Sequence, residues 1–230
     1  MAVGVIVQNV LYDVDFTSLA TQTLADQGAS FALDGQTWYQ DGQNAGNPTH
    51  SQIINTTGLV ITAGSGTYKI GLKLSELDSS FTSGTFNSNY QIWVDYSRTG
   101  TANFNAYGTG FVDPTQTGPY SAYMGYANTS PTHALQTFDT GFTQHETTTS
   151  VSTGVHVVTV QNREFFEGFT GAMSSGDFPT FDTLTRIGGV DRSNLNVNVS
   201  DANLSVGFVH NNIAGVTHTI RRMRIVKAEG

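Results

Sequence analysis

Apolar and polar residues alternate along much of this chain, and alternation is the pattern of a strand whose successive side chains point to opposite sides of a sheet. Tyr68, Ile70, Leu72 and Leu74 fall on one side and Lys69, Gly71 and Lys73 on the other, which predicts a strand with one wet face. The same pattern sets Tyr90, Ile92, Val94 and Tyr96 against Gln91, Trp93 and Asp95, and Leu204, Val206 and Phe208 against Ser205, Gly207 and Val209. Residues 155–160 are apolar on both sides apart from His156 and Thr159, so this strand is expected at the centre of a sheet covered on each face. Val3, Val5 and Val7 alternate near the start and predict a first strand. Turn signals separate these runs: Asp34-Gly35, Asp41-Gly42, Ser83-Gly84, Asp113-Pro114 and Ser175-Gly176-Asp177. No helix-length window carries an apolar stripe at helical spacing, and the best short stretch, residues 17–25, reads equally well as a loop. The expectation is one all-β domain over residues 1–230, a two-sheet antiparallel β-sandwich of the jelly-roll kind.

The second half carries a resemblance. Residues 154–160 form a Val/Thr run containing a histidine, residues 165–171 a strand ending at a glycine, Arg186-Ile187-Gly188-Gly189 an "IGG" strand, and residues 220–226 a closing strand. Their order resembles concanavalin A-like lectin/glucanase domains, laminin G-like ones in particular. The resemblance implies a jelly roll whose last strand returns beside the first, with any ligand on a concave face or loop rim. It implies no activity. The Glu-x-Asp-x-x-Glu strand of the family's glucanases has no counterpart, and Glu164 and Glu167 are three apart, which in a strand places them on opposite faces.

Composition narrows the function. Charged residues make up only 12% of the chain and the net charge is −8, which disfavours a nucleic acid partner because a phosphate backbone is held by clustered cations. The absence of Cys excludes disulfides and thiol chemistry. No segment is apolar over the length needed to cross a bilayer, and no basic leader opens the chain, so neither a membrane partner nor export by a signal peptide is expected. Four of the ten cations, Arg221, Arg222, Arg224 and Lys227, crowd the last strand. That reads first as charge protecting an exposed strand face or edge, and second as a contact for an acidic neighbour.

The chemistry-bearing candidates are few. Trp38, Tyr39 and Asp41 with nearby Gln residues, and Trp93 on a separate strand, are the candidates for a sugar-stacking surface, although burial in the core is the plainer fate of both indoles. Asp13 and Asp15, which share a strand face, are an example of a carboxylate pair that a two-acid hydrolase could use, although exposed solubilising carboxylates are the plainer reading. The six His are scattered. Calcium, if bound, is expected in the Asp/Asn-rich stretches 34–47 or 191–203, and no other cofactor is expected. The charge-poor, Thr/Asn/Gly/Ser-rich, Cys-free composition together with a lectin-like jelly roll resembles that of non-enzymatic structural virion proteins, and the resemblance implies a bacteriophage head-decoration or tail-fibre component made in the host cytoplasm. It would dock on other virion proteins or on copies of itself through Val3, Val5, Arg221, Arg222 and Arg224. A carbohydrate-binding module is the alternative, and a glycan-active hydrolase the third.

Overall fold

The structure, a computed structural model, describes residues 8–24, 28–40, 51–62, 66–81, 89–99, 106–112, 123–124, 126–128, 132–134, 153–161, 165–191, 205–212 and 217–228. The first strands are β1 (Gln8–Asp15), β2 (Gln22–Thr23), β3 (Ser30–Leu33), β4 (Gln36–Gln40), β5 (Ser51–Asn55), β6 (Gly58–Thr62) and β7 (Gly66–Lys73), followed by the one-turn helix α1 (Leu74–Leu77). Then come β8 (Asn89–Thr99), β9 (Ala106–Val112), β10 (Tyr123–Met124), β11 (Tyr126–Asn128) and β12 (Thr132–Ala134). The chain continues through β13 (Gly154–Gln161), β14 (Phe165–Gly171), β15 (Thr185–Asp191), β16 (Ser205–Asn212) and β17 (Thr217–Ala228). The alternating runs read from the sequence are β7, β8, β13 and β16; the doubtful stretch after Asp15 is a short 3-10 turn, Phe16–Ser18, and β2.

The strands form an antiparallel nine-stranded sheet in the order β15-β14-β13-β8-β17-β6-β5-β2, with β1 also on β17, and a six-stranded sheet in the order β10-β9-β16-β7-β4-β3. A core shared by both sheets joins Tyr12, Val14, Ile54, Ile61, Ile92, Val94, Ile220, Met223 and Ile225 of the large sheet to Phe31, Leu33, Trp38, Ile70, Leu72, Val206 and Phe208 of the small one. This is the expected sandwich, each sheet giving every second residue to the space between. Tight turns hold it locally: Asp34 and Gly35 both take positive φ, 51° and 73°, as a two-residue hairpin between β3 and β4 requires.

Two expectations about position have opposite outcomes. β13 lies between β8 and β14, with Val155 and Val157 buried on one face and Val158 on the other, so its two-sided apolar pattern does report a central strand. β17, whose charges suggested an exposed edge, is also central: β8 runs along one side of it, and β6 and β1 share the other. Its charges are accommodated at a β-bulge. Ile220 pairs with Tyr96 and Arg222 with Asp95, so Arg221 is an extra residue and two consecutive arginines face outward, away from the shared core.

That outward face of the large sheet is itself covered. Trp93, Val155, Val157 and Val226 pack beneath Phe178, with Phe169, Met173, Phe181 and Leu184 around them, so the connection between β14 and β15 lies over the sheet as a strap. Phe178 and Phe181 meet the Trp93 ring edge-on, at centroid distances of 5.8 and 6.0 Å.

Candidate binding site

On the small sheet, Trp38 points into the core, so its neighbour Tyr39 points outward. Tyr39 stands opposite Gly71 in register, and with no side chain there its ring has room over β7. Lys73, two residues on along the same face, brings its ammonium to 4.1 Å from the ring centroid. The Tyr39 hydroxyl donates to Glu76 Oε1 at 2.6 Å, Glu76 being exposed on α1. That hydrogen bond, more than burial, pushes the phenol up to about 12, so Tyr39 remains a donor across the physiological range. An aromatic ring, a cation, a carboxylate and a hydroxyl thus share one accessible corner, able to donate to and accept from a hydroxylated ligand.

Beside this corner the outer face loses its side chains. Gly71, Gly207 and Gly110 stand opposite one another on β7, β16 and β9. A Cβ at Gly207 would lie 2.1 Å from the Ile70 carbonyl oxygen, so only glycine permits this approach of the two strands. Lys69 and Ser205, on the same face, are fully buried; the face is covered toward its middle and accessible at Tyr39.

The structure distributes the other sequence candidates differently. Trp38 is 0% exposed and meets Tyr12 and Phe16 edge-on, and Trp93 is 3% exposed beneath the strap; neither indole is available to stack on a sugar. Asp41, Val3 and Val5 lie outside the described residues. Arg221 binds Asp95 through two contacts of 2.7 and 2.5 Å. Arg222 and Arg224 share Asp13 and Asp177 at 2.6 to 2.9 Å, and both guanidinium groups lie over Phe178, at 5.3 and 5.1 Å from its centroid. The positive charge expected to meet an acidic neighbour is therefore matched by carboxylates of the same chain. Asp13 is engaged in this network, and Asp15 caps the 3-10 turn by accepting from the Thr17 backbone and hydroxyl, so the candidate acid pair has structural partners. Of the calcium candidates, residues 41–47 and 192–203 lie outside the described residues, the Asp34 carboxylate accepts from the Tyr12 hydroxyl, and among the described residues no group of three or more His, Asp or Glu is placed to hold a metal ion.

One cluster was not legible as such. His156, Tyr96 and His218 come from three adjacent strands, β13, β8 and β17, and all face the inter-sheet space. The two imidazoles flank the phenol ring at centroid distances of 5.2 and 5.8 Å, and the Tyr96 hydroxyl lies 2.5 Å from His218 Nδ1. Burial brings the His156 imidazole down to about 4, with Asp95 offsetting only part of the effect. Residues 62 and 122 positions apart give no local signal; the inward parity of His156 and His218 on their strands was the available clue.

No family model and no curated protein matches the chain. Solved structures do. The exoplasmic/lumenal domain of VIP36, in a Ca2+/Man3GlcNAc-bound form, overlays at a TM-score of 0.51 with 10% identity, covering 88% of this chain and 89% of that one. The fold is that of a lectin-like β-sandwich. The Emp47p carbohydrate recognition domain overlays at 0.44 with 10% identity over 96% of this chain and 97% of that one. Alginate lyase A1-II′, of polysaccharide lyase family 7, overlays at 0.43 with 12% identity over 89% and 85%. At these identities the likeness extends to the fold alone.

Proposed function

We propose that this protein is a non-catalytic carbohydrate-recognition module that binds glycan at the Tyr39 corner of its six-stranded sheet. The observation that carries this reading is the convergence of Tyr39, Lys73 and Glu76 on one accessible patch, because sugar sites combine an aromatic surface with a few oriented donors and acceptors. A lectin-like fold is a suitable scaffold, and the VIP36 domain was solved with a mannose-containing glycan. Lys73 and Glu76 cancel in charge, and the chain carries −8 overall, so the ligand class is an uncharged glycan rather than a uronate polymer. The alternative of a virion component rests on composition; the internal pairing of the β17 arginines adds nothing to it.

A glycan array containing neutral and anionic saccharides tests this. The expected result is binding to neutral glycans, weakened at least about tenfold by Tyr39→Ala and by Glu76→Ala, with no new reducing ends released from the bound polymer. A folded protein that leaves every neutral glycan unbound, or binding that ignores both substitutions, would refute the assignment.

A further inference from the structure

We infer that the Tyr39 corner is positioned from the opposite sheet: Asp78, held by Lys227 and Tyr90 of the large sheet, is the positioning residue that sets where α1 presents Glu76 to Tyr39 and to a ligand. The inference rests on the carbohydrate reading for the ligand, and on the contacts alone for the placement of Glu76.

α1 cannot fix its own position. It is a single turn, too short to be stable on its own hydrogen bonds, and Lys73 at its N-cap makes no side-chain capping bond. Leu74 sinks fully into the core and Leu77 packs against it, but apolar contacts carry little direction. The directional contacts come at the other end, where Asp78 closes the helix. Its N–H donates to the Leu74 carbonyl at 2.9 Å, and its carbonyl accepts from the Phe81 N–H at 3.0 Å.

The Asp78 carboxylate then joins this turn to the large sheet. Lys227 and Tyr90 stand opposite each other in register on β17 and β8, and both reach Asp78 Oδ2, at 2.9 and 2.8 Å. Oδ1 accepts from the Ser80 N–H and hydroxyl at 2.9 and 2.7 Å, and Lys227 also donates to that hydroxyl oxygen. The backbone and both carboxylate oxygens of a residue only 7% exposed are thus all engaged, which leaves the helix end little freedom to turn. Burial alone would raise Asp78, but hydrogen bonds from Lys227, Ser80 and Tyr90 together outweigh it and bring the carboxyl down to about 2, so the joint stays ionised around neutral pH. Two residues before this joint, exposed Glu76 accepts from the Tyr39 hydroxyl at 2.6 Å. A path of contacts therefore runs from β8 and β17, through Asp78 and α1, to the outer face of the six-stranded sheet.

The test makes two measurements on the full chain: affinity for the neutral glycans of the array, and titration of Tyr39 followed by NMR of ring-labelled tyrosine. Asp78→Asn, which replaces an acceptor by a donor, and Lys227→Met are each expected to weaken glycan binding about three- to tenfold, the worth of one net hydrogen bond. Neither should weaken it further once Glu76→Ala is present, because the path ends at Glu76. Tyr39, held near 12 first by its bond to Glu76, should titrate closer to 10 in both variants. A role confined to stability would lower the denaturant midpoint and leave the Tyr39 titration in place. Folded variants with an unchanged Tyr39 titration, or glycan losses that add in full to that of Glu76→Ala, would overturn the proposal. If the wild-type protein binds no neutral glycan, the carbohydrate reading fails and the Tyr39 titration alone decides the role of Asp78; if Asp78→Asn does not fold, Lys227→Met and Tyr90→Phe decide.

Discussion

The two faces of the large sheet each bury one of the two tryptophans of this protein, and they do so by different means. Trp38 lies in a core assembled from both sheets, among side chains as far apart in the chain as Tyr12 and Phe208. Trp93 lies under the strap, residues 172–184, whose apolar side chains are held down by ion pairs between Asp177 and the β17 arginines. The first face depends on area removed from water and is indifferent to salt; the second adds partly exposed charge, which salt screens. A buried aromatic is thus no guide by itself to how its environment is maintained.

The largest effect should separate the faces outright. Trp38→Ala should destabilise the whole domain by about 4 kcal/mol, as deletions of large buried aromatics do, whereas Trp93→Ala should cost about 3 kcal/mol and first expose the 172–184 connection to protease. Denaturant midpoints read the first quantity and limited proteolysis the second; identical cleavage patterns in the two variants would erase the distinction. Next is Asp13→Ala, which removes the carboxylate shared by Arg222 and Arg224. Because that carboxylate is one-quarter exposed, the expected loss is about 1–2 kcal/mol, below that of a fully buried pair. The smallest effect belongs to Asp177→Asn. With the acid 60% exposed, this change should cost about 0.5 kcal/mol at low salt and nothing measurable in 1 M salt, while strap cleavage becomes faster.

Much of the framework was readable from alternation, including the two-sided pattern of β13 and the placement of Trp93 on the face opposite Tyr90 and Ile92. That the Trp93 face would be roofed was not. From the strap only Ser175-Gly176-Asp177 was read, as a turn signal, and Met173, Phe178, Phe181 and Leu184 have a spacing that fits neither helix nor strand. β17 misled for a different reason: a bulge breaks the period of two at Arg221, and the partners Asp13, Asp95 and Asp177 lie 45 to 211 residues away, beyond any local pattern. The Tyr39 corner was half legible, because an outward aromatic among polar neighbours is visible in sequence while Lys73 and Glu76 arrive through sheet pairing and α1. Trp38 met the plainer of its two expected fates: it alternates inward with Gln40 on β4 and lies in the core shared by the sheets.

The central place of β17 governs the order in which this polypeptide can take shape. Its residues hydrogen-bond to β8 on one side and to β6 and β1 on the other, so three pieces made earlier have no common seam until residues 217–228 leave the ribosome. Hairpins such as β3–β4 and β5–β6 can close while translation proceeds, but the wider sheet must wait, with its apolar surface in need of shelter from chaperones or neighbours during the delay.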